Sequence, residues 1–147
     1  MTFFIFFKNL FDNPKYKTYY VYKQIKYLND LKDGVIMVSA DVLRGYTETI
    51  ILRKLLDGDT YGYDISHMIT EVSGGEIDIK DATIYMAFRR MEECNLISAY
   101  WGNDATGGAR RRYYSITDKG REYYEAKSSE WLKINKIMNT LIIGEEK

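Results

Sequence analysis

Residues 81–117 read DATIYMAFRRMEECNLISAYWGNDATGGARRRYYSIT, and a change of period inside this stretch decides the fold. From about Asp81 to Cys94, the apolar residues Ile84, Phe88 and Met91 recur at four- and three-residue intervals, which gathers them on one stripe of a helix. From Leu96 to Trp101, and again from Arg111 to Thr117, aromatic and β-branched residues follow the two-residue period of strands. Gly102-Asn103-Asp104-Ala105-Thr106-Gly107-Gly108 lies between these two runs. The stretch therefore predicts a helix that passes at once into a β-hairpin with a long glycine-rich tip.

Two further helices precede it. From about Asp41 to Leu56, Leu43, Ile50, Ile51, Leu52, Leu55 and Leu56 predict a strongly apolar, mostly buried first helix, stopped by Asp57-Gly58-Asp59. Ile65, Met68, Ile69 and Val72 form the stripe of a second helix, which Gly74-Gly75 ends. Downstream, Thr117 and Asp118 offer N-cap oxygens for a last helix reaching about Ile143. In it Trp131, Ile134, Met138 and Leu141 are spaced as a short a/d seam, suited to facing another helix. The fold class expected is mainly α with a β-hairpin wing (α+β): a winged helix-turn-helix over 37–117, followed by a long C-terminal helix and tail over 118–147.

Residues 1–36 differ in composition. Phe, Ile, Asn, Lys and Tyr make up 22 of these 36 residues, against 34 of the 111 that follow. All five have A/T-rich codons, so the segment carries the bias of translated AT-rich non-coding DNA. The codons for residues 32–36 also accommodate a ribosome-binding sequence just ahead of Met37. Met37 is the expected natural start and 1–36 a start-site artefact; the alternatives are a poorly structured N-terminal extension or a short interfacial anchor around Phe3 to Phe7. A loose spacing of Tyr20, Tyr27, Leu28 and Leu31 favours a helix within 15–32.

Composition narrows the function. One Cys and one His cannot supply a structural metal site or an intrachain disulfide. Nucleophilic triads would have to run through His67, and nothing around it looks like a nucleophile's setting, so neither an enzyme nor a cofactor is expected. His67 reads as a surface residue and Cys94 as a small, semi-buried filler. No apolar run approaches the roughly 18 residues of a membrane span, and a cytoplasmic protein is expected. The 21 basic and 21 acidic residues cancel, but unevenly: 1–36 carries +3 and 37–147 carries −3. Net charge thus says little about where positive charge is concentrated.

That concentration lies on the third helix and the hairpin. On a helical wheel Phe88 and Met91 fall within about 40° of Ile84, leaving Ala82, Thr83, Met86, Arg89 and Arg90 outward with Tyr85 at the flank. Arg can read guanine edges, Ala and Thr methyls can meet thymine methyls, and Tyr can bond phosphate, so this face suits a DNA major groove. Lys80, at the helix start, is placed for a backbone phosphate, and Tyr61 and Tyr63 can serve likewise at the start of the second helix, with packing of at least one of them as the alternative. Arg110, Arg111 and Arg112 follow Gly107 and Gly108 at the hairpin tip and suit the sugar-phosphate backbone or a narrow minor groove. Strand alternation sends Arg111 to one face and Arg110 and Arg112 to the other. For Arg112 the alternative is a structural pairing with a carboxylate; for the whole domain it is a winged-helix protein-interaction module meeting an acidic partner.

The chain resembles the short subfamily of PadR-family transcriptional regulators. The resemblance rests on Leu43-Arg44-Gly45, Gly58-Asp59-Thr60-Tyr61-Gly62-Tyr63-Asp64-Ile65, Ser73-Gly74-Gly75, Ala82-Thr83-Ile84-Tyr85 and Arg89-Arg90-Met91-Glu92. It continues through Trp101-Gly102, Gly107-Gly108, Arg111-Arg112-Tyr113-Tyr114 and Ile116-Thr117-Asp118-Lys119-Gly120, and covers about Met37 to Ile142. It implies a homodimer on pseudo-palindromic, double-stranded operator DNA, usually a repressor released by a small ligand. Tyr85 matches the tyrosine the family uses at DNA, and Arg111 and Arg112 match its basic wing. Trp131 matches the tryptophan that, in drug-sensing members, meets its two-fold mate and stacks planar aromatic ligands. Asn135 lies in the same matching segment, and Val42, Gly45, Glu48 and Thr49 of the first helix are expected around that space, Glu48 favouring a cationic ligand. The alternative for Trp131 is an interface anchor alongside Ile134, Met138 and Leu141. Lys80 and Met86 depart from the family's frequent small polar cap and proline, so base preference does not carry over.

Overall fold

The structure, a computed structural model, describes residues 21–26, 29, 40–103 and 110–144. The chain divides into two compact units, Met1–Val38 and Ser39–Lys147. In the first, residues 21–26 are helical, with Val21, Tyr22 and Ile25 exposed. The expected start at Met37 lies outside the described residues.

The second unit runs as a short 3-10 helix (Ala40–Gly45), α1 (Thr47–Leu56), α2 (Gly62–Val72), α3 (Asp81–Glu93), the antiparallel pair β1 (Ile97–Trp101) and β2 (Arg112–Ile116), and α4 (Asp118–Ile143). The single first helix expected from about Asp41 is in fact broken at Tyr46. Gly45 weakens a helix interior, and Thr47 Oγ1 donates to the Leu43 carbonyl at 2.9 Å, knitting the 3-10 turn to the start of α1. Asp57-Gly58-Asp59 ends α1 as expected: Gly58 has φ 147°, a conformation open to glycine and rarely to other residues.

The core is one cluster in which every element of the winged helix takes part. Ile51, Leu52 and Leu55 of α1 meet Ile65 and Ile69 of α2, Ile84, Ala87, Phe88 and Met91 of α3, and Leu96, Ile97 and Tyr114 of the hairpin. Phe88 and Tyr114 lie with their rings nearly parallel, centroids 3.8 Å apart, so the third helix and the wing are packed as one body. Truncating a ring buried as fully as Phe88 costs about 3–5 kcal/mol. The stripe of α2 stops short of Val72, which is 84% exposed because the last turn of the helix runs past the core. Cys94 is exposed rather than semi-buried: it caps the end of α3 at the surface, where its carbonyl accepts from Lys119 Nζ at 3.0 Å.

Two connections fix the wing. Thr60, just before α2, exchanges backbone hydrogen bonds with Tyr114 (3.2 and 2.8 Å), extending the two-stranded sheet by a single bridge. At the other end, Thr117 Oγ1 accepts from Gly120 N at 3.0 Å, capping α4 as its sequence position predicts. Among the described residues no helix is long and apolar enough to cross a membrane.

Candidate nucleic-acid interface

Burial of Ile84, Ala87, Phe88 and Met91 turns the opposite face of α3 outward. Ala82, Thr83, Tyr85, Met86, Arg89 and Arg90 are all exposed, as the helical wheel predicts. Lys80 occupies the N-cap position in extended conformation without a side-chain cap, and Asp81 follows in the first turn, where its charge suits the helix dipole. A groove of about 580 Å³ runs beside this half of α3, lined by Arg44, Thr47, Asp78, Ile79, Lys80, Ala82, Thr83, Met86 and Arg90. Arg44 is the residue that the sequence reading missed as a site. It stands in the Leu43-Arg44-Gly45 motif, but only the fold carries that motif to the flank of α3.

The arginines of this face are held by carboxylates. Arg90 Nε donates to Glu48 Oε1 of α1 at 3.0 Å, and Arg89 Nε to Glu93 Oε1 at 3.1 Å, one helical turn along α3. A third link, from Arg112 of β2 to Glu92 Oε1 at 2.7 Å, ties the wing to α3. Arg112 thus has the carboxylate partner that its structural alternative requires, and its guanidinium also lies over the Tyr114 ring at 5.6 Å. The Arg89–Glu93 pair is exposed and the other two are partly so, and each contributes about 1 kcal/mol at most. Their effect is orientation.

The wing's other flank is aromatic. The Arg111 guanidinium sits 4.9 Å from the Tyr61 ring centroid, Tyr61 meets Tyr113 edge-on at 5.5 Å, and Tyr113 stacks on Tyr100 at 5.7 Å. Tyr100 donates to Asp59 Oδ2 at 2.8 Å, and the Asp59 carboxylate holds its hydroxyl above the usual tyrosine range. Asp64 does the same to Tyr61, with Arg111 pulling the other way. Both phenols therefore stay neutral donors. Tyr63 is 59% exposed, tilted against the ring of His67, itself an exposed residue 3.7 Å from Glu71. Arg110 is exposed where the described chain resumes, while Gly107 and Gly108 lie outside the described residues.

A separate cavity of about 460 Å³ opens between α1, α2 and α4. Its mainly apolar lining includes Leu43, Tyr46, Ile50, Met68, Tyr124 and Trp131, joined by Thr49, Ser128, Arg53, Lys54 and Asp57. Trp131 meets Tyr46 edge-on at 4.8 Å. Of the residues expected around a ligand, the fold brings Thr49 and Trp131 together here. Val42, Gly45 and Asn135 are exposed elsewhere, and Glu48 turns toward α3. Along α4, Trp131 and Met138 are each 43% exposed and Leu141 73%, with Ile134 half-buried. An apolar face of the helix is uncovered.

Residues 51–126 match the family model described as the transcriptional regulator PadR-like family. A transcriptional regulator from Clostridium thermocellum is 42% identical and superimposes with a TM-score of 0.65, over 72% of this chain and 99% of that one. A PadR family transcription regulator from hypervirulent Clostridium difficile R20291 is 37% identical with a TM-score of 0.57, over 66% of this chain and 98% of that one. An uncharacterized protein of Lysinibacillus sphaericus is 39% identical over 110 residues, which is 75% of this chain and the whole of that protein.

Proposed function

The chain belongs to the transcriptional regulator PadR-like family, and from that premise we propose that it acts in the cytoplasm as a homodimeric repressor of pseudo-palindromic operator DNA, released by a small planar or hydrophobic ligand. The observation that carries the DNA reading is the exposed face of α3, which carries Tyr85, Arg89 and Arg90, with Arg90 and Lys80 lining one groove and Arg112 of the wing tied to Glu92 of the same helix. Residues 37–117 serve as the DNA-binding domain. Residues 118–147 serve as the dimerisation element, a role supported by the uncovered Trp131, Met138 and Leu141 of α4.

Two recognition helices engage successive major grooves only when about 34–36 Å apart, so anything that changes the pairing of the α4 helices changes operator affinity. The cavity beside Trp131 supports a ligand site with this leverage. One of its walls is α1, which carries Thr49 on the cavity side and Glu48 on the α3 side. A ligand acts by its difference in affinity between the two dimer states.

The test is a mobility shift on the DNA upstream of the protein's own gene, with unrelated DNA as competitor. A specific shift that a planar ligand reverses is expected. Absence of a shift on any duplex, together with complex formation by an acidic protein at the wing, would replace this reading with an interaction module.

A further inference from the structure

Tyr85 reaches across from α3 to the first turn of α2 and lies on Gly62. A Cβ built at Gly62 would stand 2.9 Å from Tyr85 Cζ and 3.0 Å from both Cε1 and Oη; its three nearest neighbours all belong to that one ring. Gly62 is buried and lies within helix α2, outside the positive-φ glycines of the chain, so its backbone conformation is open to any residue. Glycine stands here for space, and a single side chain uses that space.

The same ring is 51% exposed and tilted against Phe88, centroids 6.4 Å apart. It is thus clamped between the core of α3 and the bare first turn of α2, with its hydroxyl end resting at Gly62. An added methyl at position 62 would meet the far end of a side chain that has solvent to swing into. The fold can accommodate that movement. The placement of the phenol cannot.

We infer that Gly62 is a positioning residue for DNA recognition: the absence of a side chain there seats the Tyr85 phenol in its groove-facing pose. This rests on the reading of Tyr85 as a DNA contact. It adds that the contact is set from α2, so the two helices of the helix-turn-helix share one recognition group.

The experiment is a double-mutant cycle read by fluorescence anisotropy on a labelled duplex from upstream of the protein's gene, with thermal melting followed for each variant. Gly62→Ala is expected to weaken binding about tenfold, the scale of one lost hydrogen bond to a charged group. Its melting temperature should stay level or rise, since Ala is the better helix former. Tyr85→Ala is expected to lose about as much, and the double variant no more than Tyr85→Ala alone. Additive losses, unchanged affinity in Gly62→Ala, or a Gly62→Ala variant that fails to fold and is not restored by Tyr85→Ala would each overturn the inference. Unchanged affinity in Tyr85→Ala would instead remove the reading of Tyr85 on which it stands.

Discussion

The carboxylate of Glu48 accepts a hydrogen bond from Arg90 Nε at 3.0 Å, and the next residue on α1, Thr49, lines the cavity that holds Trp131. Two consecutive residues of one helix thus look toward the recognition face and toward the cavity. Arg90 is thus oriented before any partner is bound, with an acidic group held beside it.

Replacing Glu48 by Gln therefore has opposing consequences that can be separated. The pair is half-exposed, and its loss should cost about 1 kcal/mol or less of stability. Affinity for non-specific DNA should rise, because one negative charge leaves the face, while the ratio of specific to non-specific affinity should fall as Arg90 loses its orientation. Competition titrations with specific and random duplexes at fixed salt measure both. An unchanged ratio would mean that Glu48 does not set the Arg90 geometry used on DNA.

Arg111 and Arg89 should respond differently to truncation. Arg111 lies over Tyr61 at the flank of the wing, which the proposed function sets against the sugar-phosphate backbone, so Arg111→Ala should weaken all duplexes about equally and reduce the salt slope by about one. Arg89 stands on the exposed face of α3, paired with Glu93 one turn on. Arg89→Ala should alter base preference at defined positions, with a penalty of about 1–3 kcal/mol on the preferred sequence. Salt-dependent titrations on a panel of single-base operator variants distinguish the two patterns.

Trp131 provides its own optical readout. Its ring contacts Tyr46 and borders the mainly apolar cavity, so a planar dye entering there should quench its emission. Trp101 is also exposed, and the titration belongs in a Trp101→Phe background. Saturable quenching that disappears in Trp131→Phe is expected. No quenching by any planar cationic or neutral dye would remove the ligand reading and leave the DNA reading intact.

How far the fold was legible in the sequence follows from which features leave a period. The switch from the Ile84–Phe88–Met91 stripe to alternation at Leu96 marks α3 and β1 to within a residue or so, because both elements bury one regular face. The exposed set on α3 follows from the same stripe. Features resting on single contacts leave no such mark. The Thr60–Tyr114 bridge is one pair of residues, and the break at Tyr46 depends on Gly45 and a threonine hydroxyl inside an otherwise apolar run. The partners of Arg90 and Arg112 were likewise hidden. Glu48 and Glu92 are 42 and 20 residues away in sequence, and only packing brings them near.

The junction between the wing and α4 carries the last prediction. Thr117 Oγ1 caps Gly120 N at 3.0 Å and also lies 2.8 Å from the Asn95 carbonyl and 3.0 Å from that of Leu96, so one hydroxyl joins the start of α4 to the turn after α3. Gly120 is packed against the same turn: a Cβ there would run into the Leu96 carbonyl oxygen and come within 2.9 Å of Ile116 Cγ1. Thr117→Ala should cost about 0.5–2 kcal/mol, the range for a lost N-cap. Gly120→Ala should cost at least as much, about 1–3 kcal/mol, because the obstacle is backbone and cannot rotate away as the Tyr85 ring can. Urea titrations followed by circular dichroism measure both. If α4 is locked to the winged helix through this junction, each variant should lower the midpoint of a single transition. A separate early loss of helix signal would show that α4 unfolds independently of the domain it extends.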